Sequence, residues 1–202
     1  MTTFVLASAS PARLATLRSA GMDPLVIVSG VDESQLEGLP PAELALQLAE
    51  LKCAAVAGRD DLPEGALVLG CDSVLELDGA ALGKPTDAAD ARRRWQAMRG
   101  RSGVLHTGHS LRAVTSGRVA AATASTTVHF ADVTDEEIEA YVATGEPLHV
   151  AGAFTVDGLG GAFVTGIEGD FHNVVGVSLP LVRSLVAELG GSWTGLWRTG
   201  PA

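Results

Sequence analysis

An apolar run from Ala66 to Cys71, which ends at Asp72, constrains the fold more than any other feature of the sequence. A run of this kind is typical of a strand that is buried on both faces of a sheet. Before it, strand-type segments at Thr3 to Ala7 and Pro24 to Ser29 alternate with helical patterns, the longer of which spans about Pro41 to Ala57. This alternation predicts an α/β protein that begins with parallel strands.

Two long β-type segments follow in the middle of the chain. Val104 to Val114 and Arg118 to Phe130 flank Ser116-Gly117, which predicts an antiparallel hairpin. Further on, Thr134 and Glu137 have the spacing of a capping box and predict another helix. Because parallel and antiparallel strands then occur in one chain, we expect a mixed twisted sheet with flanking helices.

The 202 residues are within reach of one domain. A last helix is predicted after Pro180 and ends near Gly190, and the chain beyond it is rich in Gly, Ser and Thr. We therefore expect a single domain over residues 1–190 and a loosely attached tail over residues 191–202.

The composition narrows the choice of partners. The chain carries 24 Asp and Glu residues against 14 Lys and Arg residues, a net charge of −10, so nucleic acids and anionic membranes are not expected partners. Cys53 and Cys71 are too few for a disulfide framework and lack zinc-site spacing, and no apolar stretch has the ~20 residues that span a bilayer. We expect a cytoplasmic protein that binds any polyanion through a local cluster of cations or a metal ion.

A turn at residues 79–86 resembles a phosphate-binding P-loop but departs from it. Only three residues separate Gly79 from Gly83, and Pro85 follows Lys84 where a P-loop has Ser or Thr. Pro85 also removes a backbone N–H of the kind that cradles phosphate. Lys84 is therefore either a rigidly presented cation for phosphate or an ordinary solvent-exposed turn residue.

Polar residues follow three of the predicted strands. Ser8 and Ser10 follow the first strand, Asp32 and Glu33 the second, and Asp72 the third. Ligands gather at the carboxyl ends of strands in α/β sheets, and hydroxyl groups at a helix start suit an anion. Each residue also has an ordinary explanation, because serine is a common helix cap and a carboxylate in such a place is often a cap or an ion-pair partner.

Several short segments occur in the order of one family's signatures, and their ordered occurrence from about Phe4 to Leu189 is specific although each is modest alone. These segments are Ser8 to Leu17, Val31 to Glu33, Lys52, Gly70 to Val74, Leu82 to Pro85, Tyr141 to Phe154 and Ile167 to Gly176. The chain therefore resembles the Maf family of nucleoside triphosphate pyrophosphatases, which is named for septum formation.

This resemblance implies an elongated α/β fold of two lobes with a central cleft, like that of the inosine-triphosphate pyrophosphatases. It implies a hydrolase acting on acid anhydrides, which converts nucleoside triphosphates, including modified ones, to the monophosphate and pyrophosphate with Mg²⁺ or Mn²⁺. Members of the family are often dimers, so the resemblance allows a homodimer. The alternative is a nucleotide-binding regulator of cell division without significant turnover.

The resemblance also assigns roles to residues. Asp72 is expected to orient or deprotonate the attacking water, directly or through a metal that it holds together with Glu33. The substrate's phosphates are expected to bind a group of cationic and hydroxyl side chains: Ser8, Ser10, Arg13, Lys52 and Lys84. Three positions that depart from the better-defined branches of the family are expected to determine base preference: Ala12, Ser73 and Asp157.

Overall fold

The computed structural model describes residues 2–32, 36 and 38–198 of the chain. Seven strands in this part form one sheet: β1 (Phe4–Leu6), β2 (Leu25–Val26), β3 (Leu67–Leu77), β4 (Ala80–Leu82), β5 (Ser102–Ala113), β6 (Val119–Phe130) and β7 (Val164–Glu168). Their spatial order is β2-β1-β3-β5-β6-β7, and β4 pairs with β3 away from this path.

Six α-helices accompany the sheet in the described residues: α1 (Pro11–Ser19), α2 (Pro41–Ala57), α3 (Ala88–Met98), α4 (Asp135–Ala143), α5 (Phe171–Val175) and α6 (Leu179–Glu188). The predicted caps are confirmed: Ser10 accepts a hydrogen bond from the N–H of Arg13, and Thr134 and Glu137 form a reciprocal capping box at the start of α4. The helix α5 and the short strand β4 were not predicted from the sequence.

The sheet is mixed, as predicted. β1 pairs in parallel with β2 and β3, whereas β3, β5, β6 and β7 pair antiparallel along the sheet. The predicted hairpin is present as β5 and β6, which are 12 residues long each. The edge strand β2 is shorter than the predicted segment Pro24 to Ser29, because it pairs on one side only and both its side chains are exposed.

Asp72 lies within β3 and not at its end, which corrects the sequence-based expectation. The parallel pairing with β1 stops at Leu69, but the antiparallel pairing with β5 continues and places Asp72 opposite Gly108. The sequence does indicate that the strand continues, because a strand-type pattern resumes at Val74 to Leu77 before the turn at Asp78-Gly79, and the structure confirms this continuation. Asp72 is nevertheless just past the carboxyl end of the parallel region.

Helix α2 packs closely on β3 and β5, and at Gly108 its backbone lies directly against the strand. A Cβ atom at Gly108 would lie 2.1 Å from the carbonyl oxygen of Ala45, so only glycine allows this approach. The same helix accepts a hydrogen bond from the hydroxyl of Thr123 on β6, at the carbonyl of Ala42, 3.1 Å away. These contacts fix α2 across three strands and thereby fix Lys52 on the same face of the sheet as Asp72.

The apolar core is divided among separate clusters. One cluster surrounds Trp95, which is fully buried and makes edge-to-face contacts with Phe130, Tyr141 and Phe163 at ring-centroid distances of 5.8, 5.5 and 5.7 Å. Two further clusters lie on opposite faces of β1 and β3, under α1 and α6 on one face and under α2 on the other. β1 and the first half of β3 are thus packed on both faces.

The segment that follows α6 is in contact with the domain as far as Arg198. Trp193 and Leu196 pack against the cluster under α1 and α6, and the N–H of Arg198 donates to the carbonyl of Gly21 at 2.8 Å. The sequence predicts a loosely attached tail from residue 191; residues 191–198 have these contacts, and residues 199–202 lie outside the described part. No described helix is both long and apolar enough to cross a membrane.

Candidate active site

A lysine and an aspartate form an ion pair on the α2 face of the sheet. The ammonium of Lys52, on α2, contacts the carboxylate of Asp72, on β3. Their side chains are 12% and 14% exposed, so the pair is largely removed from water yet still accessible from one side. The Asp72 carboxylate keeps oxygen lone pairs that Lys52 does not use and that a ligand can share. The structure therefore brings together two residues that were predicted to share a site.

Arg13 lies on the other face of β3 and is 9% exposed. Its Nε donates to the carbonyl of Gly176 at 2.7 Å, and its Nη1 donates to the carbonyl of Cys71 at 2.9 Å and to Ser8 Oγ at 3.1 Å. Its Nη2 donates to Ser73 Oγ at 2.9 Å. Within the described residues, no carboxylate forms an ion pair with this guanidinium, so a buried positive charge is held by neutral acceptors alone, an arrangement that favours an anionic ligand nearby.

Ser8 and Ser10 both lie in the turn that leads from β1 to α1. Ser8 Oγ accepts from the N–H of Ser10 at 3.2 Å as well as from Arg13, and Ser10 Oγ caps α1 by accepting from the N–H of Arg13 at 3.3 Å. The ordinary explanation for Ser10, a helix cap, is therefore correct, and both serines bond groups of Arg13. Their contact with phosphate stays a prediction.

Lys84 stands in an exposed turn that a second arginine holds in place. Arg94 donates to the carbonyl of Gly83 at 2.6 Å and forms an ion pair with Asp90 at 2.8 Å. Lys84 itself has no ion pair with any described residue. β4 runs antiparallel to β3, from beside Leu77 to beside Leu75, so the chain after Leu82 continues in the direction of Asp72. Lys84 therefore lies on the part of the chain that leads from β4 toward Asp72.

Two of the three predicted specificity positions line one cavity of about 310 Å³. Ala12 on α1 and Asp157 face this cavity together with Phe171 and His172 of α5. The third position, Ser73, does not line it and instead bonds Arg13 and Thr107. Ala12, which lines the cavity, directly precedes Arg13 on α1.

The loop that carries Asp157 is organised by Glu146, a residue that the sequence reasoning missed. Its carboxylate accepts from the hydroxyls of Tyr141 and Thr155 at 3.0 and 2.5 Å and from the N–H groups of Leu159 and Gly160 at 3.1 Å each. Burial raises the pKa of Glu146, but these four hydrogen bonds outweigh it and the pKa lies below its ordinary value. The sequence does not identify Glu146, because its role depends on two backbone N–H groups of the loop, whose positions are known only from the loop conformation.

Of the two metal ligands predicted from the sequence, Asp72 and Glu33, the structure describes Asp72. Glu33 lies outside the described residues, and among the described ones no three His, Cys, Asp or Glu side chains gather in a metal-binding cluster. Among the predicted ligands, the described residues include Asp72, whose carboxylate offers a hard oxygen ligand beside Lys52. This donor set fits Mg²⁺, which proteins bind through one or two carboxylates completed by water and substrate phosphates.

The described residues thus place the ion pair of Lys52 and Asp72 on one face of β3, and the buried guanidinium of Arg13 and the cavity lined by Ala12 on the α1 face of this α/β sheet. The chain belongs to the Maf-like protein family, whose profile matches residues 3–189, and the resemblance stated from its motifs is confirmed.

Three similar proteins from other organisms share one name. A protein of Salinispora tropica is 63% identical over 198 residues, 97% of this chain and 88% of its own length. One of Streptomyces avermitilis is 62% identical over 193 residues, covering 96% and 93%, and one of Cutibacterium acnes is 52% identical over 202 residues, covering 97% and 95%. Each of these relatives is named nucleoside triphosphate pyrophosphatase.

Proposed function

We propose that this protein hydrolyses nucleoside triphosphates to the nucleoside monophosphate and pyrophosphate. The name shared by its relatives supports this activity. The observation that carries the proposal is the pairing of Lys52 with Asp72 on one face of β3, while on the other face the buried guanidinium of Arg13 donates to the carbonyl of Cys71, the residue before Asp72. A site that only bound nucleotide would need cations such as Lys52 and Arg13 but no carboxylate, because a carboxylate repels a triphosphate. The largely buried carboxylate of Asp72 is useful in a site that must activate water.

The chemistry requires water to attack the α-phosphorus. An oxygen–phosphorus bond forms, the bond from that phosphorus to the bridging oxygen breaks, and pyrophosphate leaves with the bridging oxygen. Asp72 orients the water and takes its proton. A divalent ion, held by Asp72 and Glu33 when bound, would neutralise phosphate charge and lower the pKa of water. In the free protein Lys52 neutralises Asp72, and an arriving triphosphate competes for the same ammonium, which leaves the carboxylate free for the water.

The charge on the departing pyrophosphate is stabilised by fixed cations. Lys52 supplies one, and Lys84 supplies a second from its exposed turn, where no described carboxylate competes for it. Arg13 acts mainly through its field and its position, because most of its N–H groups are already bonded to protein acceptors. Ser8 and Ser10 add hydroxyl groups at the start of α1.

The base is proposed to occupy the cavity between α1 and α5. Phe171 is 46% exposed there and offers a ring face for stacking, and Ala12 leaves room beside it. Asp157 supplies a carboxylate that accepts hydrogen bonds from N–H groups. A guanine-type edge presents two neighbouring N–H donors, so the cavity favours it over an edge with one donor.

Several wider properties are part of the same proposal. The site draws on residues from Ser8 to Asp157, as expected if residues 1–190 act as one domain with the substrate in a cleft. The net charge of −10 favours a free nucleotide over a nucleic acid as ligand, and a cytoplasmic setting supplies such nucleotides. A homodimer is testable by light scattering.

The test is a panel of normal and modified nucleoside triphosphates with Mg²⁺ or Mn²⁺, scored for pyrophosphate against orthophosphate. Pyrophosphate and monophosphate in equal amounts, with loss of turnover in Asp72→Asn, are the expected result. Nucleoside diphosphate and orthophosphate as main products would reject the reaction. Tight nucleotide binding without turnover under any metal would favour the regulator of cell division.

A further inference from the structure

A chain of hydroxyl groups connects Arg13 with the short helix α5. Arg13 Nη2 donates to Ser73 Oγ at 2.9 Å, Ser73 Oγ lies 3.0 Å from Thr107 Oγ1, and Thr107 Oγ1 donates to the carbonyl of Asn173 at 3.2 Å. Thr107 is fully buried on β5. The four groups come from α1, β3, β5 and α5, so one continuous set of hydrogen bonds joins four elements.

The direction of these hydrogen bonds is fixed by chemistry. A guanidinium only donates and a carbonyl only accepts, so the single proton of Thr107 goes to Asn173. The proton of Ser73 must then go to Thr107 Oγ1, and the lone pairs of Ser73 are left for Arg13. Thr107 therefore determines which way Ser73 points, although it touches neither Arg13 nor the cavity.

A second, direct bond from Arg13 reaches the end of the same helix. Its Nε donates to the carbonyl of Gly176 at 2.7 Å, immediately after α5. A Cβ atom at Gly176 would lie 3.2 Å from that Nε, so the helix end is packed against the guanidinium. Arg13 thus holds α5 at Gly176 directly and at Asn173 through Ser73 and Thr107, while α5 presents Phe171 to the cavity.

We propose that Thr107 is a positioning residue for substrate binding, which sets the place of α5 relative to α1 through Ser73 and Arg13. The inference rests on the proposed function in one respect, that the cavity between α1 and α5 takes the base. Without the Thr107 hydroxyl, Arg13 keeps its bonds to Ser8, Cys71 and Gly176, so the cationic site stays in place. The amide of Asn173 still donates to Leu105, Ala124 and Thr126 on the sheet. What is lost is the link from Asn173 through Ser73 to Arg13, so that the position of α5 relative to α1 is no longer set at this point.

The test compares Thr107→Val, which removes the hydroxyl at nearly constant volume, with Thr107→Ser, which keeps it. We expect Thr107→Val to raise KM for the preferred nucleoside triphosphate about fivefold, the worth of a typical buried hydrogen bond, with kcat within about twofold of the wild type. Inhibition by inorganic tripolyphosphate, which has no base, should not change. Thr107→Ser should restore KM, and Thr165→Val, which removes a hydroxyl that donates to the carbonyl of His129 between β7 and β6, should leave KM unchanged.

Amide hydrogen exchange supplies a readout that does not need turnover. The N–H groups of Gly176 and Val177, bonded to the carbonyl of His172, should exchange several-fold faster in Thr107→Val, whereas the β5–β6 ladder should not change. Unchanged exchange, faster exchange with unchanged KM, or failure of Thr107→Ser to restore both would overturn the proposal. Absence of nucleotide hydrolysis in the wild type would overturn the proposed function instead, and the exchange data would still decide whether Thr107 holds α5.

Discussion

Gly70 lies so close to Ala49 that a Cβ atom on the glycine would be 2.2 Å from the alanine carbonyl oxygen. The same hypothetical atom would lie 2.6 Å from the backbone nitrogen of Cys53. Both contacts are with the backbone of α2, which cannot move aside like a flexible side chain. Because Lys52 precedes Cys53 and Asp72 follows Gly70 by two residues on the same face of β3, this approach sets the distance at which the ion pair forms.

Gly70→Ala is therefore expected to displace α2 and to weaken both folding and turnover. Overpacking of this kind costs about 1–3 kcal/mol of unfolding free energy, measured by urea denaturation. Gly83→Ala is the control for stability, since no atom lies within 4 Å of a Cβ at that position. Equal stability of the two variants would show that α2 does not rest on the bare backbone of β3.

Asp72→Asn keeps the size of the side chain but removes its charge and basicity. We expect kcat to fall by about 10²–10⁴-fold, the range of general-base contributions. Since Lys52 loses a charged partner, stability should fall by about 1–3 kcal/mol and not rise. Steady-state kinetics and urea denaturation measure the two effects. Asp61→Asn, in an exposed pair with Arg59, should change neither. Near-wild-type kcat in folded Asp72→Asn would make Glu33 the next candidate base.

The fold was predictable to the extent that its signals are local. The apolar run before Asp72, the hairpin residues around Gly117 and the capping box of Thr134 each fix one element within a few residues of sequence. Two elements escaped prediction for the same reason. The three residues of β4 and the five of α5 are too short for periodicity to show, and they form because neighbouring parts of the chain hold them.

The sequence predicts candidate site residues, but it does not predict the contacts that these residues make. Arg13 was expected to face the substrate, yet its partners are Cys71, Ser73 and Gly176, which lie 58, 60 and 163 residues away in sequence. No spacing rule reaches so far. Thr107 looks like an ordinary strand residue in the sequence, because its role depends on the carbonyl of Asn173, on α5, to which its hydroxyl donates.

Lys84→Ala should separate catalysis from stability. The side chain is exposed and has no ion pair with a described residue, so its removal should leave Tm within about 2 °C. Loss of a charged hydrogen bond to phosphate should lower kcat/KM by about 10–100-fold. Arg59→Ala removes another exposed cation and should leave kcat/KM unchanged. A large fall in Tm with activity retained would show that Lys84 is structural.

His109 makes the stability of the protein depend on pH. The side chain is fully buried, with Nδ1 donating to the carbonyl of Thr107 at 2.9 Å and Nε2 accepting from the N–H of Ser178 at 2.8 Å. Burial, and secondarily the charge of Arg13, lower its pKa from 6.5 to about 4. At pH values between about 4 and 6.5, the ring is therefore neutral in the folded state, whereas it binds a proton in the unfolded chain.

The sign follows from proton linkage. Above pH 6.5 the ring is neutral in both states, and His109 adds no pH dependence there. Between pH 6.5 and about 4 the unfolded state binds more protons, so stability falls as the pH falls, by up to about 3 kcal/mol in total. His109→Gln retains a donor and an acceptor without a titrating group, so its urea midpoint should depend less on pH in this window than that of the wild type. His129→Gln, at a partly exposed ring, is the control. Identical pH profiles for wild type and His109→Gln would show that the buried imidazole does not govern acid sensitivity.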